Sequence, residues 1–95
     1  MAGWVYIMTN KPNGTLYTGV TSDLAQRVTA HREGRGGEFT RRYKLRRLVY
    51  VERHDRIEYA IQREAIIKSW PRAWKVRLIT EINPELNDLY VQILT

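Results

Sequence analysis

Trp4-Val5-Tyr6-Ile7-Met8-Thr9-Asn10-Lys11-Pro12-Asn13-Gly14-Thr15-Leu16-Tyr17-Thr18-Gly19 reads as two short strands joined by a turn. Trp4 to Thr9 alternates in strand fashion, and Leu16 to Val20 is the return strand. Pro12 presets φ and Asn13-Gly14 tolerates positive φ, so the chain reverses between them. Setting Asn10 opposite Thr15 pairs Tyr6 with Gly19 and Met8 with Tyr17. In that register Tyr6 and Tyr17 stand diagonally on one face, within reach of each other. A slip of one residue sends them to opposite faces. Either tyrosine alone is an ordinary strand residue. Gly19 opposite Tyr6 leaves an opening through which a phosphate or a metal ion approaches, so the hairpin is expected to carry a site.

Working outward, Thr21-Ser22-Asp23 offers helix N-caps, with Gln26 three residues after Asp23. A first helix is expected from Asp23 to Glu33, stopping at Gly34. A glycine-rich basic loop follows, then a third strand over residues 48–52. A second helix runs from about Asp55 to Ser69, where Trp70-Pro71 interrupts it. A third runs from Arg72 to about Ile82 and ends before Asn83-Pro84. The tail, residues 84–95, either packs on the core or is flexible. The expected fold class is α/β of the α+β kind: a small central three-stranded antiparallel sheet flanked by about three helices. One domain spans residues 1–95, with its core at about 3–83.

The chain has 95 residues, 43% hydrophobic and 27% charged, an ordinary globular balance. It has no cysteine, which excludes disulfides, thiolate nucleophiles and Cys-ligated zinc and suits a reducing, cytoplasmic setting. The N-terminus lacks the basic-then-apolar pattern of a signal peptide, and no stretch is apolar enough to span a membrane. The net charge of +6 is unevenly spread. Seven Lys/Arg fall between Arg32 and Arg47, opposed there by Glu33 and Glu38 alone. Arg35, Arg41, Arg42 and Lys44 are therefore candidate contacts to a phosphate backbone. A solvated basic loop, or one that meets an acidic lipid or protein, has the same composition.

At about 100° per residue, Arg27 and His31 lie on the same helix stripe as Leu24 and Val28, which faces the sheet. They are one turn apart and hence neighbours. On the second helix Glu64 falls amid the apolar positions Ile57, Ala60 and Ile61, with Lys68 one turn on. A carboxylate there is either paired, with Arg27 as the partner in reach, or faces a site. Lys68 is either a snorkelling side chain or a member of that site, and His31 either a satisfied core residue or a functional one. Trp70 and Trp74 fit helix packing better than base stacking.

"VYI" and "YTG", with "GTLYTGVTSDLAQRVTAHREG", "EFTRRYKLRRLVYVE" and "REAIIKSW", resemble the GIY-YIG nuclease superfamily. The likeness is to its small single-domain bacterial members, which are related to the N-terminal nuclease domain of the bacterial repair excinuclease, and covers about Gly3 to Asn83. It implies a divalent-metal-dependent endonuclease cutting phosphodiester bonds in nucleic acid, DNA ahead of RNA, in a DNA-repair setting. It implies Tyr6 as the base that activates water with Tyr17 assisting, Arg27 gripping the scissile phosphate, and His31 hydrogen-bonding or moving a proton. Glu64 matches the carboxylate that holds Mg2+ or Mn2+. Asn83, with Asn87 as rival, matches the asparagine after the last helix. Trp4 departs from the first motif glycine and shares the Tyr6 face. Two other readings use the same scaffold: a nucleic-acid-binding module without catalysis, and a component activated by a protein partner that confers specificity.

Overall fold

The computed structural model describes residues 1–95. Strands β1 (Gly3–Thr9), β2 (Leu16–Thr21) and β3 (Arg47–His54) form one antiparallel sheet in the order β2-β1-β3. The helices are α1 (Leu24–Arg32), α2 (Glu38–Arg42), α3 (Ile57–Lys68), α4 (Arg72–Ile82) and α5 (Tyr90–Leu94). The hairpin register is the expected one: Tyr6 opposes Gly19, Met8 opposes Tyr17 and Thr9 opposes Leu16. It is held at the turn by Gly14 N–H donating to the Lys11 carbonyl at 2.9 Å and by Asn13 at φ 63°. The Asn10 side chain accepts from Thr15 N–H at 3.1 Å, closing the loop.

β1 is the central strand, and Val5 to Thr9 are fully buried because the sheet is covered on both faces. Tyr6 and Met8 point to one face, among Leu24, Val28, Leu45 and Leu48. Val5 and Ile7 point to the other, among Val49, Tyr50, Ala60, Ile67 and Ile79. Burying one such aliphatic side chain stabilises by about 1.5–3 kcal/mol, so β1 anchors both layers. Between Ile7 and Met8 the pairing with β3 shifts by one residue, making Val49 the extra residue of a bulge.

α1 begins where Asp23 Oδ1 accepts from Gln26 N–H at 3.2 Å. It ends with Gly34 at φ 80°, where Gly34 and Arg35 N–H donate to the His31 and Ala30 carbonyls at 3.1 and 2.7 Å. The expected basic loop is not all loop, because α2 occupies part of it. This helix ends in the same way, with Lys44 at φ 56° and Leu45 N–H donating to the Thr40 carbonyl at 2.9 Å. That turn projects Lys44 outward and buries Leu45 completely. β3 is longer than expected, and the helices number five rather than about three.

The tail packs on the core. Leu89 N–H donates to the Leu48 carbonyl at 2.8 Å, and Asp88 accepts from Leu48 N–H at 3.1 Å. Tyr90 Oη meets Thr29 Oγ1 at 2.6 Å on α1, and the Arg32 guanidinium lies 4.1 Å over the Tyr90 ring. No helix is long and apolar enough to cross a membrane.

Candidate active site

Tyr6, Tyr17 and His31 converge on the α1 face of the hairpin. Their ring centroids are 6.3 Å apart for the two tyrosines, 5.6 Å for Tyr6 and His31, and 5.4 Å for Tyr17 and His31. Tyr6 is fully buried and His31 is 1% exposed, so each polar atom there requires a partner. Tyr6 Oη lies 2.7 Å from His31 Nε2, and His31 Nδ1 lies 2.9 Å from Thr40 Oγ1. Thr40 donates its single hydroxyl proton to the Gly37 carbonyl at 3.2 Å. It therefore accepts from His31 Nδ1–H, which leaves Nε2 as the acceptor of the Tyr6 proton.

The electrostatics fit that order of protons. Burial raises the Tyr6 phenol to about 12, against the opposing pull of the adjacent Arg27 guanidinium. His31 is lowered to about 4, by burial first and by the Arg27 charge second. The buried pair is thus neutral, a phenol donating to an imidazole. Arg27 is half-buried beside the tyrosines, and its own pKa is raised chiefly by its interaction with Tyr6.

Gly19 has a different role from the one expected. A Cβ at Gly19 would lie 2.5 Å from both Cζ and Oη of Tyr6, so the space opposite Tyr6 is filled by the tyrosine itself. No opening for a phosphate or metal exists there; the glycine is needed because the ring crosses its Cα. Gly36 does the same for His31, whose ring lies against its Cα.

Glu64 sits on α3, against the opposite face of the sheet from α1. Its side chain is 14% exposed and pairs with Lys68 Nζ at 3.0 Å, rather than with Arg27. Lys68 Nζ also lies 6.0 Å above the Tyr17 ring. Because β2 is an edge strand, Tyr17 links the two layers, with His31 on one side and Lys68 on the other. No cluster of three acidic or histidine side chains exists. Glu64 is thus a lone carboxylate, a donor set that suits a divalent ion completing its shell with water and phosphate oxygens.

Asn83 is buried but is not engaged with these residues. Its Nδ2 donates to the Val49 and Asn87 carbonyls at 3.1 and 2.9 Å, and its Oδ1 accepts from Asn87 N–H at 3.0 Å. One bond fastens the turn after α4 to the bulge of β3 and the other two close that turn, in which Asn87 takes part through its backbone alone. Arg35 pairs with Glu33, and Arg41 with Glu38 at 3.6 Å, both exposed. Arg42 and Lys44 have no acidic partner.

Thr40, which fixes the tautomer of His31, went unforeseen, as did Phe39, whose ring lies 6.1 Å from Tyr17. Both lie in "EFTRRYKLRRLVYVE", but neither has a charge or a periodic position to mark it. A second polar cluster, with no marker in the sequence, lies on the α3 face. Glu52 accepts from Tyr50 Oη and pairs with His54 Nε2, both at 2.6 Å, and with Arg63 Nε at 3.0 Å. Burial raises the Glu52 pKa, and the Tyr50, His54 and Arg63 bonds outweigh it and hold the carboxyl low.

Residues 2–77 match the family model described as the GIY-YIG catalytic domain. A UPF0213 protein of Natronomonas pharaonis is 41% identical over 78 residues, 82% of this chain and 91% of that protein. One from Staphylococcus saprophyticus is 37% identical over 78 residues, 82% of this chain and 94% of its own. The solution NMR structure of a UPF0213 protein from Bacillus halodurans superimposes with a TM-score of 0.56 at 31% identity, covering 87% of each chain. With the tyrosine hairpin, the Arg27–His31 helix and the helix bearing Glu64 in place, the chain belongs to the GIY-YIG nuclease family, among the small UPF0213 members.

Proposed function

We propose that the protein is a divalent-metal-dependent endonuclease that hydrolyses phosphodiester bonds in DNA. The observation that carries the reading is the 2.7 Å contact from Tyr6 Oη to His31 Nε2 with Arg27 alongside. A phenol already donating to a neutral imidazole can accept a proton on its oxygen while passing its own to Nε2. Water that reaches Tyr6 when substrate binding opens the buried pair loses a proton to it and attacks phosphorus, the bond to the 3′ oxygen breaks and that oxygen takes a proton from solvent, and His31 passes through imidazolium, its Nδ1–H held by Thr40, before releasing its proton. Arg27 supplies a cation beside the phenol, where the added charge of the pentacovalent phosphate develops. Tyr17 packs between His31 and Lys68 and steadies the phenol.

Glu64 would hold Mg2+ or Mn2+, displacing Lys68, and a bound ion screens the charge on the leaving oxygen. Arg35, Arg41, Arg42 and Lys44 would hold the backbone of the nucleic acid flanking the cut. A second reading, binding without cleavage until a partner acts, draws on the Glu64–Lys68 pair, which occupies the one candidate metal-binding carboxylate.

The test is purified protein with Mg2+ or Mn2+ on a labelled panel of linear, flapped and single-stranded DNA, beside Tyr6→Phe and Glu64→Gln. Cleavage by the parent and a loss of at least about 100-fold in each variant are expected, with binding kept. Binding without cleavage by the parent would favour the second reading. Cleavage at the parental rate by Tyr6→Phe removes the phenol from the chemistry.

A further inference from the structure

We infer that Phe39 and Tyr43 form a stacking platform for an unpaired nucleobase beside the scissile phosphate, so that the preferred substrate has a single-stranded or splayed nucleotide there. The inference rests on the nuclease reading of the Tyr6 site and adds to it the form of the substrate.

The two rings are successive members of a ladder that starts in the site. Tyr17 and Phe39 have centroids 6.1 Å apart at 32°, and Phe39 and Tyr43 are 4.8 Å apart. Tyr17 is partly buried, whereas Phe39 and Tyr43 are 46% and 42% exposed. The outer two rungs thus leave aromatic surface in water, at the end of a line that leads to Tyr6 and His31.

α2 is held firmly enough to present them. Its inner side is Thr40, 2% exposed and hydrogen-bonded to His31, and the turn after it buries Leu45 completely. Phe39 and Tyr43, four residues apart, share the outer side. A platform seated on the residue that fixes the acceptor of the Tyr6 proton places whatever stacks on it at a fixed distance from the chemistry.

The charges around the rings specify the kind of ligand. The Arg42 guanidinium lies 5.8 Å from the centre of the Tyr43 ring, and Arg42 and Lys44 have no acidic partner. Lys44 adopts a left-handed backbone conformation, which a glycine would accept with less strain. Flat apolar rings bordered by free cations match a nucleotide, whose base has a π face and whose phosphate is anionic. An acidic peptide would satisfy the cations but has no planar group for each ring. A base inside a duplex already has both faces covered, so only an unpaired one can stack.

The measurement is binding without cleavage, in EDTA, on the Glu64→Gln background. The probes are a fluorescein-labelled single-stranded DNA of roughly 15 nucleotides, its blunt duplex, the duplex with an unpaired tail, and the matching RNA strand. The parent is expected to bind the single strand and the tailed duplex more tightly than the blunt duplex at equal salt. Phe39→Leu/Tyr43→Leu, which keeps apolar bulk but loses the π faces, should weaken single-strand binding roughly ten-fold or more. Its salt dependence should be unchanged and the blunt duplex little affected. The RNA strand should lose as much, because a base face is common to both acids. Phe39→Tyr/Tyr43→Phe should bind as the parent does, and the leucine variant's retained binding to the blunt duplex excludes misfolding as the cause of its loss. Quenching of 2-aminopurine in the unpaired tail should appear with the parent and vanish with the leucine variant. Equal losses on blunt and single-stranded DNA, or quenching that survives the leucines, overturn the platform. A wild-type chain that stacks the base yet never cleaves when given Mg2+ or Mn2+ would instead overturn the nuclease reading and leave the platform standing.

Discussion

Gly19→Ala puts the central packing claim at risk with one methyl group. Gly19 has no positive φ, so alanine fits its backbone and on that ground alone would stabilise by about 0.4–1 kcal/mol. The added Cβ, however, would lie 2.5 Å from Cζ and Oη of Tyr6 and 2.9 Å from Cε1. Ordinary carbon contacts are about 3.5 Å or longer, so the ring must retreat by about 1 Å. It is fully buried, and such overpacking costs about 1–3 kcal/mol. The same movement stretches the 2.7 Å bond to His31 and leaves two buried polar atoms unpaired, about 1–3 kcal/mol more. The net expectation is a loss of about 1–5 kcal/mol. At about 4–8 °C per kcal/mol for a domain of this size, the melting temperature should fall by at least about 4 °C. In a Tyr6→Leu background, which lacks all three clashing atoms, the same alanine should be neutral or slightly stabilising. Circular-dichroism melts and urea titrations of the four proteins give the coupling directly. A Gly19→Ala protein that melts at or above the parent would refute the reasoning.

Other perturbations probe separate parts of the molecule. His31 is held neutral at about 4 against an ordinary 6.5, so its stabilisation is complete above pH 6.5 and is lost as the pH falls toward 4. That is worth about 3 kcal/mol, and His31→Gln should flatten stability against pH across this window, read by urea midpoints at each pH. Neutralising Arg41 and Arg42 together should weaken binding to all nucleic acids and lower the salt slope by about one per lost phosphate contact; unchanged anisotropy titrations would place the binding surface elsewhere. Glu52→Gln should cost about 2 kcal/mol or more by leaving Arg63 without its anion, with cleavage per folded molecule unchanged; a variant as stable as the parent in urea would show the cluster to be incidental. Lys68→Met should free Glu64 and tighten Mn2+ binding measured by calorimetry, and no change would separate Glu64 from the metal.

The hairpin was legible because its loop length and register follow from Pro12-Asn13-Gly14, and a period of two then places Tyr6 and Tyr17 together. Helix ends were legible where a residue forbids continuation: Gly34, Pro71 and Pro84. α2 was not, because five residues are too few for a 3.6-residue period to emerge. Its loss from the reading concealed Thr40 and therefore the tautomer of His31. Gly19 was singled out for the wrong reason, since a missing side chain in the sequence does not say whether a neighbour fills the space. Glu64 was rightly placed on the inward stripe of its helix, yet its cation proved to be Lys68 one turn along the same helix. Asn83 carried no local signal that its amide would be spent on Val49 and Asn87.

α2 has its own consequence for how the molecule breathes. Five residues are tied inward by the Thr40–His31 bond, the buried Leu45 and the turn at Lys44. So small a unit, exposed along one side, is closed in most molecules but opens more readily than the sheet beneath it. Each opening takes Thr40 away from Nδ1 and leaves the imidazole free to change tautomer, so the proton order of the Tyr6 pair lapses while α2 is detached. Amide exchange in residues 38–45 would then report the fraction of molecules with a competent site, and a bound strand that spans Arg42 and Lys44 would slow that exchange as it holds the catalytic protons in register.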